Sequence, residues 1–127
     1  MVKLRILDLF CGVGGVVRGF HKYLQEQGVE YEYYAVDTDR RILIAHELLN
    51  PNSITVCRDA YGFTDEELKG YDFIWASPPC ETHSHLNFYN WNDPKKFKEP
   101  DMWLYELILR LQKAGNSVRS RERRTVL

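Results

Sequence analysis

Apolar and polar positions in this chain repeat with two periods that alternate along its length. Positions 4–10 are a short, nearly continuous apolar run with Asp8 near its end, which predicts a strand buried on both faces. Over 13–27, Val17, Phe20 and Leu24 recur at helical spacing, and Gly28 is a natural stop. Positions 31–36 are aromatic and β-branched and predict a second strand, closed by Asp37-Thr38-Asp39. Asp39 stands where it can cap a helix carrying Ile42, Ala45 and Leu49 on one face, which Asn50-Pro51-Asn52 breaks. A third strand follows at 54–57, a short polar helix at 64–69, and a fourth strand at 71–76 that runs into Ser77-Pro78-Pro79-Cys80. Periodicity disappears over 81–100, a length of loop that is usually functional or disordered. Asp101 then precedes a helix with Leu104, Leu107, Ile108 and Leu111 on one face and Gly115 as its stop.

Strand and helix in alternation predict an α/β domain with a mostly parallel sheet and right-handed crossovers. Residues 1–115 read as its core and 116–127 as a solvated tail. That tail holds Arg119, Arg121, Arg123 and Arg124 against Glu122, a net of +3, and such a segment can also touch phosphate.

Composition narrows the setting. A chain of 127 residues with 44% hydrophobic and 28% charged residues can form one domain with a real core. No apolar run approaches a membrane span, and Asp8 and the glycines interrupt any signal-peptide core, so no membrane partner is expected. The net charge of −1 neither demands nor excludes a nucleic-acid partner. The three cysteines, Cys11, Cys57 and Cys80, form no CxxC pair, which fits a reducing compartment.

Candidate chemistry falls at the carboxyl ends of the strands, where open parallel sheets bind ligands. Asp8-Leu9-Phe10-Cys11-Gly12-Val13-Gly14-Gly15 joins a strand to a helix through glycines, which suits close approach of a ligand to the main chain. The dinucleotide fingerprint needs a glycine where this chain has Val17, so another adenosine-type ligand fits better. Asp37, 22 residues after Gly15, stands where a carboxylate accepts from ribose hydroxyls, or it is simply a strand-end cap. Asp59 can accept from an adenine amino group or be an ordinary turn aspartate. Cys80 follows two prolines that fix its direction, as a nucleophile would require; the alternative is an inert packed cysteine. Cys80, His83 and His85 are metal-ligand types, but no second ligand pair accompanies them, so no metal is expected.

Together these stretches resemble the DNA (cytosine-5) methyltransferase family, in its N-terminal cofactor-binding and Pro-Pro-Cys portion. The glycine stretch is similar to that family's S-adenosylmethionine motif. Asp37-Thr38-Asp39 with Ala45 and Asn50-Pro51 resembles its second motif and Arg58-Asp59-Ala60 its third. Asp72-Phe73-Ile74 with Ser77-Pro78-Pro79-Cys80 and Ser84 resembles the catalytic fourth. The resemblance implies a truncated Rossmann-like S-adenosylmethionine-dependent methyltransferase domain with DNA as its partner. It implies cofactor contacts from Phe10, Cys11, Gly12, Gly14, Gly15, Asp37, Thr38, Asp59, Ala60 and Pro78. It further implies DNA contacts from Pro79 and Ser84, and Cys80 as the nucleophile that attacks cytosine carbon 6 of a flipped base. Glu81 and His83 stand where the family has glutamine and an aromatic residue. The family's Glu-Asn-Val motif and target-recognition domain have no counterpart in these 127 residues. A fragment, a subunit completed by a second polypeptide, or a catalytically silent cofactor-binding module is therefore expected.

Overall fold

The structure is a computed structural model that describes residues 3–78, 92–96, 102–116 and 124–126. Five strands, β1 (Leu4–Leu9), β2 (Tyr31–Asp37), β3 (Ser53–Cys57), β4 (Phe73–Ala76) and β5 (Arg124–Val126), form one sheet in the order β3-β2-β1-β4-β5. Every pairing is parallel. Between the strands lie α1 (Gly15–Glu26), α2 (Arg40–Leu49), α3 (Asp65–Lys69) and α4 (Met102–Asn116), with a 3-10 turn at Ala60–Gly62. This is the Rossmann-like, doubly wound order: the chain winds outward from β1 first one way and then the other.

Side-chain alternation along the central strands supplies the two cores. Ile6, Tyr33 and Ala35 pack with Val17, Leu24 and Leu43 of α1 and α2. Leu7, Leu9, Val36 and Ile74 pack with Leu68, Leu107 and Leu111 of α3 and α4. Phe20 sits against the rings of Tyr33, Phe73 and Trp75, at centroid distances of 5.7, 5.4 and 6.1 Å. Helix α1 ends as its sequence predicts, with Gly28 at φ +66° and the N–H groups of Gly28 and Val29 donating to Gln25 and Leu24 carbonyls in a Schellman arrangement. Thr64 and Glu67 form a capping box on α3.

Several expectations are corrected. Helix α1 starts at Gly15, not position 13, because Gly12 and Gly14 take φ of +55° and +108° and cannot be helical. Helix α2, capped by Asp39 as expected, is rotated from the predicted face: Leu43 and His46 are buried and Leu49 is exposed. The polar partners of His46, described below, set that rotation. Strand β4 begins at Phe73, and α4 runs one residue past Gly115. Asp101, the expected cap of α4, lies outside the described residues, as does most of the 81–100 loop. Within the segment read as a tail, Arg124, Thr125 and Val126 pair with Phe73, Ile74 and Trp75 as an edge strand. A three-residue strand is too short to leave a period in the sequence. Among the described residues no helix is long and apolar enough to cross a membrane.

Candidate functional site

The carboxyl ends of four strands are stitched together by main-chain hydrogen bonds. Cys11 N donates to Val36 O at 3.0 Å, Ser77 N to Leu9 O at 3.2 Å and Arg58 N to Asp37 O at 3.0 Å. Between β1 and α1 the backbone turns through three left-handed residues, Phe10 at φ 60°, Gly12 and Gly14. Phe10 holds this conformation at a steric cost, which marks the turn as tightly constrained.

Helix α2 braces that turn. His46, fully buried, donates from Nδ1 to Gly12 O at 3.0 Å, since a carbonyl only accepts, and its Nε2 meets Ser53 Oγ at 3.1 Å. Asn50 donates to Val13 O at 3.3 Å. A Cβ on Gly14 would lie 2.3 Å from Asn50 Nδ2 and 2.9 Å from Val17 Cγ1, whereas one on Gly12 would meet nothing within 4 Å. Gly14 is thus required by packing and conformation together, Gly12 by conformation alone.

Asp37 joins the turn to the second strand end. Its Oδ2 accepts from Gly12 N at 3.2 Å and its Oδ1 from Asp39 N at 3.1 Å. Asp59 accepts from Tyr61 N at 3.0 Å and so caps the 3-10 turn. Beside these carboxylates is a cavity of about 510 Å³. Its apolar walls are Phe10, Val36, Ala60 and Tyr61, and its polar groups come from Asp37, Thr38, Arg58, Asp59 and Ser77. The Phe10 and Tyr61 rings meet edge-on, with centroids 6.1 Å apart.

Burial dominates the electrostatics behind the rim. Asp8 is fully buried on β1, and Tyr33 donates to its Oδ2 at 2.6 Å. Desolvation pushes its carboxyl up to about 6, against the Tyr33 hydrogen bond and with help from the Asp37 charge. Burial, and then the Asp8 and Asp37 charges, push the Cys11 thiol up to about 12, so it is a packing group and not a nucleophile. Cys57 is exposed, with its Sγ 3.5 Å from Thr38 O.

Of the residues singled out in the sequence, Phe10, Asp37, Thr38, Asp59 and Ala60 line the cavity. Gly12 reaches it through Asp37. Cys11, Gly14, Gly15 and Pro78 are not among the lining residues. Cys11 instead packs in the core beneath α1. Pro79, Cys80, Glu81, His83, Ser84 and His85 lie outside the described residues. Among the described residues no group of three potential ligands could hold a metal ion. Sequence reasoning missed His46, Val36 and Tyr61. A histidine on an amphipathic helix, a valine inside a strand and a tyrosine in a three-residue turn carry no pattern of their own.

The donor set fits an adenosyl group. The volume is that of a small-molecule site, the walls offer aromatic and aliphatic contact for a base, and carboxylates at two strand ends can accept from hydroxyl or amino groups. The N-cap residue of α1, Gly14, makes no side-chain cap hydrogen bond.

Comparison with known proteins agrees with this arrangement. The chain is 26% identical over 111 residues to the DNA (cytosine-5)-methyltransferase PliMCI of Paracentrotus lividus, a match covering 76% of this chain and 7% of that protein. Among solved structures it is similar to a protein described as a DNA modification methyltransferase encoded within an E. coli prophage. That likeness has a TM-score of 0.56 and 26% identity over 88% of this chain and 29% of the other. It shares its fold with Spodoptera frugiperda DNMT2, at a TM-score of 0.51 and 24% identity over 84% of this chain and 31% of that one. The chain thus spans a small part of the length of each relative. The family model for C-5 cytosine-specific DNA methylase matches residues 4–96. Because that match runs through every cavity-forming segment and well over half of its length, the chain belongs to the C-5 cytosine-specific DNA methylase family.

Proposed function

We propose that this chain is the cofactor-binding and nucleophile-bearing part of a DNA cytosine-5 methyltransferase. The observation that carries the reading is the convergence of three separate sequence stretches, at Phe10, Asp37-Thr38 and Asp59-Ala60, on one cavity at the strand ends. Asp37 accepts from the ribose hydroxyls and Asp59 from the adenine amino group, while Phe10 and Ala60 bracket the base. Gly12, Gly14 and Gly15 let the main chain approach the ligand, with Cys11 and Pro78 supporting it. S-adenosylmethionine supplies the electrophilic methyl group. Cys80, as thiolate, would add to cytosine carbon 6 and make carbon 5 nucleophilic; carbon 5 would take the methyl group as its bond to the sulfonium sulfur breaks, and loss of the carbon-5 proton would then expel the thiolate and restore the aromatic ring. Pro79 and Ser84 contact the DNA. Assistance at the cytosine ring nitrogen and recognition of the target come from a second polypeptide.

Two measurements test this. Titration calorimetry with S-adenosylhomocysteine should show binding. Asp37→Ala should weaken it about tenfold or more, since a lost charge-assisted hydrogen bond costs roughly 1.5–3 kcal/mol. Binding of a nicotinamide dinucleotide with no response to S-adenosyl compounds would refute the cofactor assignment. On DNA containing 5-fluorocytosine, with candidate second polypeptides added, Cys80→Ser should abolish any covalent adduct and leave cofactor affinity nearly unchanged. An adduct that survives Cys80→Ser would remove that residue from the chemistry.

A further inference from the structure

We propose that Arg58 and Glu67 form a positioning clamp that holds the Ala60–Gly62 turn in its cavity-lining shape, so that affinity for an adenosyl ligand depends on this pair acting through the turn. The inference rests on the reading of the cavity as an adenosyl site.

The turn needs outside support. A three-residue 3-10 segment has few main-chain bonds of its own; here Gly62 N donates to Asp59 O at 3.0 Å, and Asp59 Oδ1 caps Tyr61 N. Yet Asp59, Ala60 and Tyr61 all line the cavity. Arg58 grips both ends of this segment. Its main-chain N–H is fixed to Asp37 O at one end, and its Nη2 donates to Gly62 O at 2.9 Å at the other. The same guanidinium pairs with both carboxylate oxygens of Glu67, through Nη1 and, at 2.8 Å, through Nη2. It also lies over the Phe63 ring, 4.1 Å from its centroid. Both of its Nη groups therefore already donate to protein acceptors although the residue borders the cavity. Glu67 is itself held in place, since its Oε1 accepts from Thr64 N at 3.1 Å and its own N–H donates to Thr64 Oγ1 at 3.1 Å. A bidentate pair anchored by a helix cap transmits geometry better than a lone contact. The two side chains are 35% and 39% exposed, so the pair adds little to global stability and can be altered without unfolding the domain.

The test uses the full chain as wild type, Arg58→Lys, Glu67→Gln and the double variant, titrated with S-adenosylhomocysteine while melting temperatures are followed. Lysine keeps the charge and loses the fork; glutamine keeps the helix cap and loses the charge. Each single variant should bind about five- to tenfold more weakly, and the double variant no more weakly than the worse single one, at little cost in melting temperature. In ligand-free protein, amide hydrogen exchange at Tyr61 and Gly62 should speed up in both singles. Additive losses, or a silent Glu67→Gln beside a weakened Arg58→Lys, would show that Arg58 acts on the ligand directly and overturn the clamp. Unchanged exchange rates would do the same. A wild type that ignores S-adenosylhomocysteine would overturn the adenosyl reading, and with it the ligand named here, whatever the exchange rates.

Discussion

Replacing Asp8 with asparagine should remove a fall in stability between about pH 4 and pH 6 that the wild-type domain carries. Asp8 is fully buried, with Tyr33 donating to one oxygen and the other, Oδ1, unpartnered among the described residues. Desolvation raises its folded-state value from the ordinary 3.8 to about 6. A carboxyl raised on folding contributes its full stabilisation below about 3.8 and loses it as pH rises through about 6. At 1.36 kcal/mol per unit, the rise corresponds to about 3 kcal/mol as an upper bound. Asparagine keeps an acceptor for Tyr33 and never ionises. Its amide lacks an acceptor where Oδ1 now lies, so the variant loses about 1–3 kcal/mol at every pH. The informative quantity is therefore the difference between the two proteins as a function of pH. Urea denaturation at half-unit steps from pH 4 to 8 should show the asparagine variant gaining on wild type by up to about 3 kcal/mol. The gain should be complete near pH 7 and flat beyond. Glu67, held down to about 2 chiefly by Arg58, acts with the opposite sign: its stabilisation is present above its ordinary 4.5 and is lost as pH falls toward 2. It is common to both proteins and cancels. A difference that does not change with pH would refute a raised Asp8, and one that shrinks with rising pH would mean that the carboxylate is stabilised.

The remaining predictions concern the glycine turn and the thiols. Gly14→Ala should cost at least about 2 kcal/mol, because the new methyl meets Asn50 Nδ2 at 2.3 Å at a backbone φ of +108°. Gly12→Ala, at φ +55° with open space around it, should cost only about 1 kcal/mol; equal losses in urea denaturation would contradict the packing argument. In folded protein a thiol reagent should modify the exposed Cys57 rapidly and the buried Cys11, raised to about 12, only on unfolding. Mass spectrometry of the labelled peptides reads this, and labelling of both at one rate would rule out the buried position of Cys11.

The sheet was legible wherever one period ran long enough to speak for itself. Positions 4–10, 13–27 and 31–36 gave their strand, helix and strand because burial on a parallel sheet demands continuous apolar runs and an amphipathic helix between them. The buried face of α2 departs from its apolar pattern for a physical reason. Ile42, Ala45 and Leu49 make the better apolar stripe, but His46 has two hydrogen-bond partners, Gly12 O and Ser53 Oγ, and the helix turns to supply them. A buried polar side chain is worth orienting even at the cost of leaving Leu49 in water, since an unpaired imidazole nitrogen costs more than a partly solvated leucine gains. Hydropathy patterning weighs the second quantity and cannot see the first.

The same distinction divides the site. Glycines and strand-end carboxylates announce themselves because few residue types meet the conformational and chemical demands at Gly12, Gly14, Asp37 and Asp59. The groups that hold these in place, His46 beneath the glycine turn and Arg58 with Glu67 beside the 3-10 turn, belong to common residue types at unremarkable spacings. Their roles exist only once β1, β2 and β3 lie side by side and bring Gly12 O within 3.0 Å of His46 and Gly62 O within 2.9 Å of Arg58. Asp37 bridges the two classes, since the carboxylate readable as a ligand acceptor also receives Gly12 N and Asp39 N. On the proposed reading of Asp37 as the ribose acceptor, a ligand shares or displaces hydrogen bonds that already join the first two strand ends. Losing Asp37 should loosen the glycine turn as well as weaken the ligand, and Asp37→Asn, which keeps an acceptor oxygen, should recover the first effect more fully than the second. Amide exchange at Gly12 beside calorimetry on both Asp37 variants separates the two, and recovery of both in equal measure would mean that the carboxylate serves only the fold.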